Sequence, residues 1–255
     1  MAYQIAEFQH VRDKNTAATI FNNNFTAQIL TSLKKTGMEK AYTYLYESSC
    51  PQLTEKTAPK LFQSLNRACE MFGLETCPKV FVTRNYREMV FVRGVNNPLI
   101  IFSSEYLKRL DDETLFGILA GQVAGIRCKH HTIFFMLWGI EFASSFVPAG
   151  SIVVATFINE WVRCRYFTYD KAFALATKNR ELSLRQVLIN VVPKNILDQM
   201  ALGTNHDAFF NQAENFVNMT DRQANIRSAV SKFSDKDWLP ERFVEMKKFF
   251  DERRF

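Results

Sequence analysis

Hydrophobic and polar positions divide the chain into stretches of different period. From Ala17 to Lys35 apolar residues recur at helical spacing, and Gly37 follows as a C-terminal stop. A short second helix is predicted over Glu39–Glu47, and a third over Lys56–Phe72, closed by Gly73. The composition then turns strand-like. Lys79–Thr83, Glu88–Arg93 and Leu99–Phe102 are short runs of Val, Ile and Phe, the last led by Pro98. Asp111 and Asp112 fit the N-cap and first turn of a long helix, because carboxylates satisfy and complement the free amides there. Helical spacing continues to Phe250. Helices, a small three-stranded sheet and more helices make an α+β class dominated by helix. There is no internal repeat and no linker rich in Gly, Ser or Pro. Residues 1–55 form an N-terminal helical region, and 56–255 hold the sheet and the long helix.

Composition narrows this picture. The 255 residues are 47% hydrophobic and 23% charged, with 24 Phe, which excludes a disordered or collagen-like chain. A net charge of +6 suits an acidic partner or a membrane surface without requiring either. The basic residues, among them Lys34, Lys35, Arg84, Arg87, Arg93, Lys247 and Lys248, are dispersed, so no nucleic-acid face is expected. No phosphate loop or dinucleotide fingerprint appears. The five cysteines are scattered and form no CxxC pair, which points to a reducing, cytoplasmic setting. The N-terminus, Met1 to Lys14, is polar and shows no secretory pattern. From Ile133 to Ile158 the single charge is Glu141. A spanning helix needs about 20 predominantly apolar residues. Pro148-Ala149-Gly150 interrupts this run, and proline removes a donor and clashes with the preceding turn. A buried helical hairpin is the preferred expectation, with membrane-surface contact through Ile133–Ile158 as the alternative.

The stretch Leu110-Asp-Asp-Glu-Thr-Leu-Phe-Gly-Ile-Leu-Ala-Gly-Gln-Val-Ala-Gly-Ile-Arg-Cys-Lys-His130 resembles the zinc helix of the HtpX-like metallopeptidases, relatives of the CaaX prenyl proteases. In that family a small sheet precedes a helix carrying HExxH. The frame is kept here without the chemistry. Gly121 stands at the first histidine position, Gln122 at the glutamate and Gly125 at the second histidine. The family's third ligand is a glutamate in a frame like RxxExxxDRAxxLA. The corresponding run, Arg163 to Ala176, keeps Asp170 and Ala172 but has Tyr166 at the glutamate. Near the C-terminus Arg242 keeps an arginine position of the family without its neighbouring histidine. Met89-Val-Phe-Val-Arg-Gly94 resembles the family's edge strand. The likeness covers about residues 56 to 250, four landmarks in the family's order.

The resemblance implies a zincin-like scaffold and, in active relatives, a zinc cofactor. Residues four apart share a helix face, so two imidazoles there can hold one ion while the intervening glutamate moves the water proton. Glycine offers no ligand atom, and a glutamine amide is no base near neutral pH. The expectation is therefore a pseudopeptidase with no cofactor and no catalytic residue. Its cleft, formed by Met89, Val90, Phe91, Leu99, Ile101, Asp170 and Arg242, would hold a protein or peptide partner. Either Met89–Arg93 or Leu99–Phe102 would supply an exposed edge for strand addition. Gly117, Gly121 and Gly125 form a stripe suited to close helix packing, with Tyr166 expected to lie over Gly121 and Gly125. Arg163 and Arg242 are candidates to pair with acids such as Asp170. Two other readings stay open. One is a hydrolase with relocated ligands, for which Cys128, His131 and Cys164 are the candidate set; the other is a membrane-surface protein. His10 and His206 have no ligand-like company in the sequence.

Overall fold

The computed structural model describes residues 2–84, 89–144, 151–189, 211, 213–215 and 239–253, with the side chains of 141–144, 151–158 and 189 excepted. The N-terminal helices are α1 (Ile5–Phe8), α2 (Val11–Phe21), α3 (Asn24–Lys35) and α4 (Met38–Ser49). The sequence reading runs one helix from Ala17 to Lys35, whereas the chain breaks at Asn22-Asn23. The Asn23 side chain accepts from the amides of Phe25 and Thr26 and starts a new helix. Gly37 then turns the chain into α4 with φ +72°, a left-handed value that favours glycine.

A two-residue strand, β1 (Gln52–Leu53), precedes α5 (Pro59–Phe72), whose start is set by proline in the first turn. Then come β2 (Lys79–Thr83), β3 (Val90–Arg93) and β4 (Leu99–Ser103). The sheet is therefore four-stranded, not three-stranded, in the order β1-β2-β4-β3. A two-residue strand is too short to show a period, so β1 is held by pairing with β2 alone. β2 runs parallel to β4, and β3 runs antiparallel to it. This makes β4 interior, with every residue buried, and leaves β3 without a second strand neighbour among the described residues.

The two faces of the sheet enter different clusters. Val80, Val92, Ile100 and Phe102 join the main core with Leu65 and Phe72 of α5. Phe81, Phe91, Leu99 and Ile101 face Tyr46 and Cys50 at the end of α4. After α6 (Ser104–Leu107) the long helix α7 (Asp112–Arg127) starts where the Asp111 carboxylate accepts from the Thr114 amide at 2.8 Å. Residues Thr114 to Ile126 of α7 are all buried, so this mostly apolar helix is enclosed on every side and central to the molecule. Around it lie α8 (His130–Ser144), α9 (Ser151–Thr177), α10 (Arg180–Ile189) and α11 (Leu239–Glu252). The main core takes residues from both ends of the chain, Phe8 and Phe249 included.

Within the apolar run the side chains of residues 133–140 are described, and several are packed internally. Ile133 and Met136 of α8 lie in one cluster with Ala17, Ile20 and Trp161, and Phe135 lies in another with Tyr42 and Val95. No described helix is long and apolar enough to cross a membrane. The break at Pro148-Ala149-Gly150 lies outside the described residues.

Candidate functional site: a cleft beside the glycine face of α7

The glycine stripe decides how α7 meets α9. A Cβ on Gly117 would collide with the ring of Phe173. One on Gly121 would lie 3.3 Å from the Tyr169 carbonyl, and one on Gly125 would lie 2.5 Å from Cε1 of Tyr169. Three glycines spaced by one turn thus receive two aromatic residues of α9 spaced by one turn, in antiparallel order. The residue over Gly121 and Gly125 is therefore Tyr169, not the expected Tyr166. The two tyrosines lie three apart on α9, and the helix rotation that packing selects places the second one on the stripe. Burial pushes the Tyr169 phenol up to about 12.

Tyr166 faces a different space. A cavity of about 700 Å³ lies between β3, α7, α8 and α9. Met89, Val90, Phe91 and Arg93 form its strand wall, and Gly117, Ile118, Gly121 and Gln122 form its helix wall. Tyr166, Tyr169, Asp170 and Phe173 close the α9 side, and Arg242 reaches in from α11. Of the positions that the family frame singles out, Gly121, Gln122 and Tyr166 line the cavity, while Gly125 is covered by the Tyr169 ring. Leu99 and Ile101 are not on its wall. They belong to interior β4 and are buried against Phe81 and Phe91, so β4 offers no exposed edge.

Asp170 and Arg242 form a buried two-pronged pair. Nε donates to Oδ2 and Nη2 to Oδ1, both at 2.7 Å. Bidentate geometry compensates the desolvation of both charges. The Arg242 guanidinium also lies 4.8 Å from the centroid of Tyr166, which fixes that ring on the cavity wall. Arg163 does not share this carboxylate; its Nη2 donates to Glu160 at 2.5 Å.

The candidate metal set Cys128, His131 and Cys164 is not gathered. His131 Nε2 lies 3.0 Å from the Val95 carbonyl, and Cys164 points its thiol at Glu160. Burial drops His131 to about 4 and pushes Cys164 up to about 12. What the fold does gather is Asp13, Cys128 and His130, whose ligand-capable atoms lie within 4.8 Å of one another. His130 Nε2 lies 2.9 Å from Asp13 Oδ2, Thr168 donates to the same oxygen at 2.7 Å, and Trp161 Nε1 donates to Oδ1 at 3.1 Å. Burial alone would raise the Asp13 carboxyl, but His130 and the hydrogen bonds from Thr168 and Gln9 outweigh it and hold the group below the usual carboxylate range. The network is a buried staple joining α2 to α8 and α9. None of its three metal-capable residues lines the cavity.

The sequence does hold one signal for Asp13. It falls on the same helical face as Ala17 and Ile20, which are buried, so a carboxylate there requires a buried partner. His10, without company in the sequence, lies 3.3 Å from Glu245 of α11, and that contact holds Glu245 at about 2. His206 lies outside the described residues.

The donor set at the positions that the resemblance aligns with a metal site does not fit zinc. Gly121 and Gly125 supply no ligand atom, Gln122 supplies a neutral amide, and one phenol from Tyr166 cannot hold the ion alone. Comparisons with protein-family models, with curated protein sequences and with solved structures give no match.

Proposed function

We propose that the chain is a pseudopeptidase of HtpX-like ancestry that binds an extended peptide or protein segment without cleaving it. One observation carries this reading: a cavity of about 700 Å³ lies between the edge strand β3 and the α7 face, with Gly121 and Gln122, the positions that the resemblance aligns with ligand and base, on its wall. A strand with no second partner among the described residues presents backbone donors and acceptors to an incoming strand, and losing a metal site removes none of them. The buried Asp170–Arg242 pair and Tyr166 keep the opposite wall in place. All five cysteines are free thiols, which agrees with a reducing, cytoplasmic setting.

The alternative of a hydrolase with relocated ligands is less well supported. Such an enzyme needs an open coordination position and room for water beside its substrate. Asp13 and His130 are 0% and 1% exposed, Cys128 is 8% exposed, and the cluster opens onto no described cavity wall.

The test is titration of the full chain with a labelled extended peptide, alongside the same peptide N-methylated at alternate residues. Saturable binding that N-methylation weakens by about tenfold, the loss of one or two backbone bonds, supports strand addition. Turnover of the peptide by metal-loaded protein overturns the pseudopeptidase reading, and equal binding of the methylated peptide overturns the edge.

A further inference from the structure

We infer that the segment this cleft receives brings a side-chain amide, glutamine or asparagine, to Gln122 and Gln186, a step that rests on the peptide-binding reading above. Gln122 of α7 and Gln186 of α10 both line the cavity. They are 6% and 8% exposed. Oε1 of Gln186 is buried and accepts no hydrogen bond among the described residues. The Gln122 side chain makes none with a described residue either. Buried polar groups in folded proteins are nearly always paired. Amides left short of partners on the wall of a cleft point to a ligand that completes them.

The charged groups of the same wall have hydrogen-bond partners of their own. Asp170 is taken up by the two-pronged bond from Arg242. Arg93 donates to the Tyr46 hydroxyl and Arg165 to the Val162 carbonyl. None of these bonds reaches a glutamine. Much of the remaining wall is aromatic, with Phe91, Phe134, Trp138 and Phe173 among its rings. Walls of that kind lower the local dielectric, which strengthens a hydrogen bond made beside them and raises the cost of one left unmade.

The chemistry of the amide selects its partner. A glutamine side chain carries an acceptor oxygen and two N–H donors in one planar group. A carboxylate offers acceptors alone and leaves Oε1 unpaired, and an ammonium offers donors alone and leaves the N–H groups unpaired. A second amide offers both. It closes two antiparallel N–H···O bonds with the first, whichever way round that amide lies. A strand turns every second side chain to the same face. A segment paired with β3 can therefore present amides at alternate residues to the glutamine wall.

The experiment uses the full chain and three fluorescein-labelled, C-terminally amidated peptides of alternating Thr and Xaa, with Xaa as Gln, Glu or Met, three side chains of similar length. Fluorescence anisotropy is read at low and high salt. The Gln peptide is expected to bind about tenfold more tightly than either of the others. Its ratio to the Met peptide is expected to be the same at both salt concentrations, because neither side chain is charged. Gln122→Met and Gln186→Met are each expected to bring the Gln and Met peptides to within about threefold of each other. Circular dichroism establishes that the variants fold. If one does not, the three-peptide comparison on the unmodified chain decides. Tighter binding of the Glu peptide, equal binding of the Gln and Met peptides, or a full Gln preference in both folded variants overturns the amide pairing and leaves strand capture standing. Absence of binding by all three overturns both.

Discussion

Two regions meet on α7, and they are opposites. Along its glycine face lies a cavity of about 700 Å³ whose single described carboxylate, Asp170, is taken up by Arg242. At its C-terminal end lie a carboxylate, a thiol and an imidazole whose ligand-capable atoms fall within 4.8 Å of one another. The first region has space but no described cluster of metal-capable side chains. The second has donors without space, because both oxygens of Asp13 already accept from Trp161, Thr168 or His130. Burial also pushes the Cys128 thiol well above its ordinary value, so the thiolate a metal would need is disfavoured. The contrast teaches that ligand-type residues at ligand-type distances become a site only where a coordination position is left open.

The largest expected effect comes from putting the missing donors back. The combination Gly121→His, Gln122→Glu, Gly125→His and Tyr166→Glu restores the family's donor set on paper. The Tyr169 ring stands where a side chain on Gly125 would go. The four-fold variant is therefore expected to carry essentially no zinc, and adding Tyr169→Ala is expected to bring it to about one ion per chain. Metal analysis after dialysis reads the difference. Zinc uptake with Tyr169 still in place would show that the ring yields and that space is not what separates the two regions.

Next comes the staple itself. Asp13→Ala leaves the Trp161 indole, the Thr168 hydroxyl and His130 without their acceptor in a buried setting. Removing one partner from such a network lowers stability by about 3–5 kcal/mol. Urea unfolding measures it. Added zinc is expected to leave the midpoint of the unmodified chain unchanged. A zinc-dependent rise that Asp13→Asn abolishes would make the cluster a metal site and break the comparison.

A smaller effect appears with pH at the neighbouring His131. Burial holds its folded value at about 4, against 6.5 for a free imidazole. Below the free value the unfolded chain takes up a proton that the folded chain refuses, so stability falls as pH drops from 6.5 towards 4. The shift corresponds to about 3 kcal/mol. Asp13 acts in the same sense but lower down. Its carboxyl is held below the ordinary range, so its contribution persists until pH falls under about 4. Urea midpoints at several pH values, for the unmodified chain and for His131→Asn, separate the two. A slope that His131→Asn leaves unchanged would assign it to another group.

Much of the fold could be read from the residues. The three Val-, Ile- and Phe-rich runs became β2, β3 and β4, and Asp111 caps α7. Gly73 closes α5 with φ +66°. The Asn22-Asn23 break was visible only as residue types, since a cap must outcompete continued helix and nothing local shows which side wins. At the cleft, the lack of a side-chain donor at Gly121 and Gly125 and the neutral amide at Gln122 follow from identity alone. Arg165, Phe134 and Gln186 gave no signal because their place on the cavity wall comes from meeting β3 and α7 across long stretches of chain.

The sequence by itself determined the α+β class, the strand-rich stretch from Lys79 to Phe102, the long helix from Asp112 and the donor atoms present at each position, because period and side-chain chemistry are local properties. Tertiary structure alone decided that Tyr169 rather than Tyr166 covers the glycines. It also brought Asp13 to His130 across the chain, and left β3 rather than β4 at the edge of the sheet. Those outcomes depend on how helices rotate against one another and on the order in which strands pair, and packing selects both from alternatives that look alike along the chain.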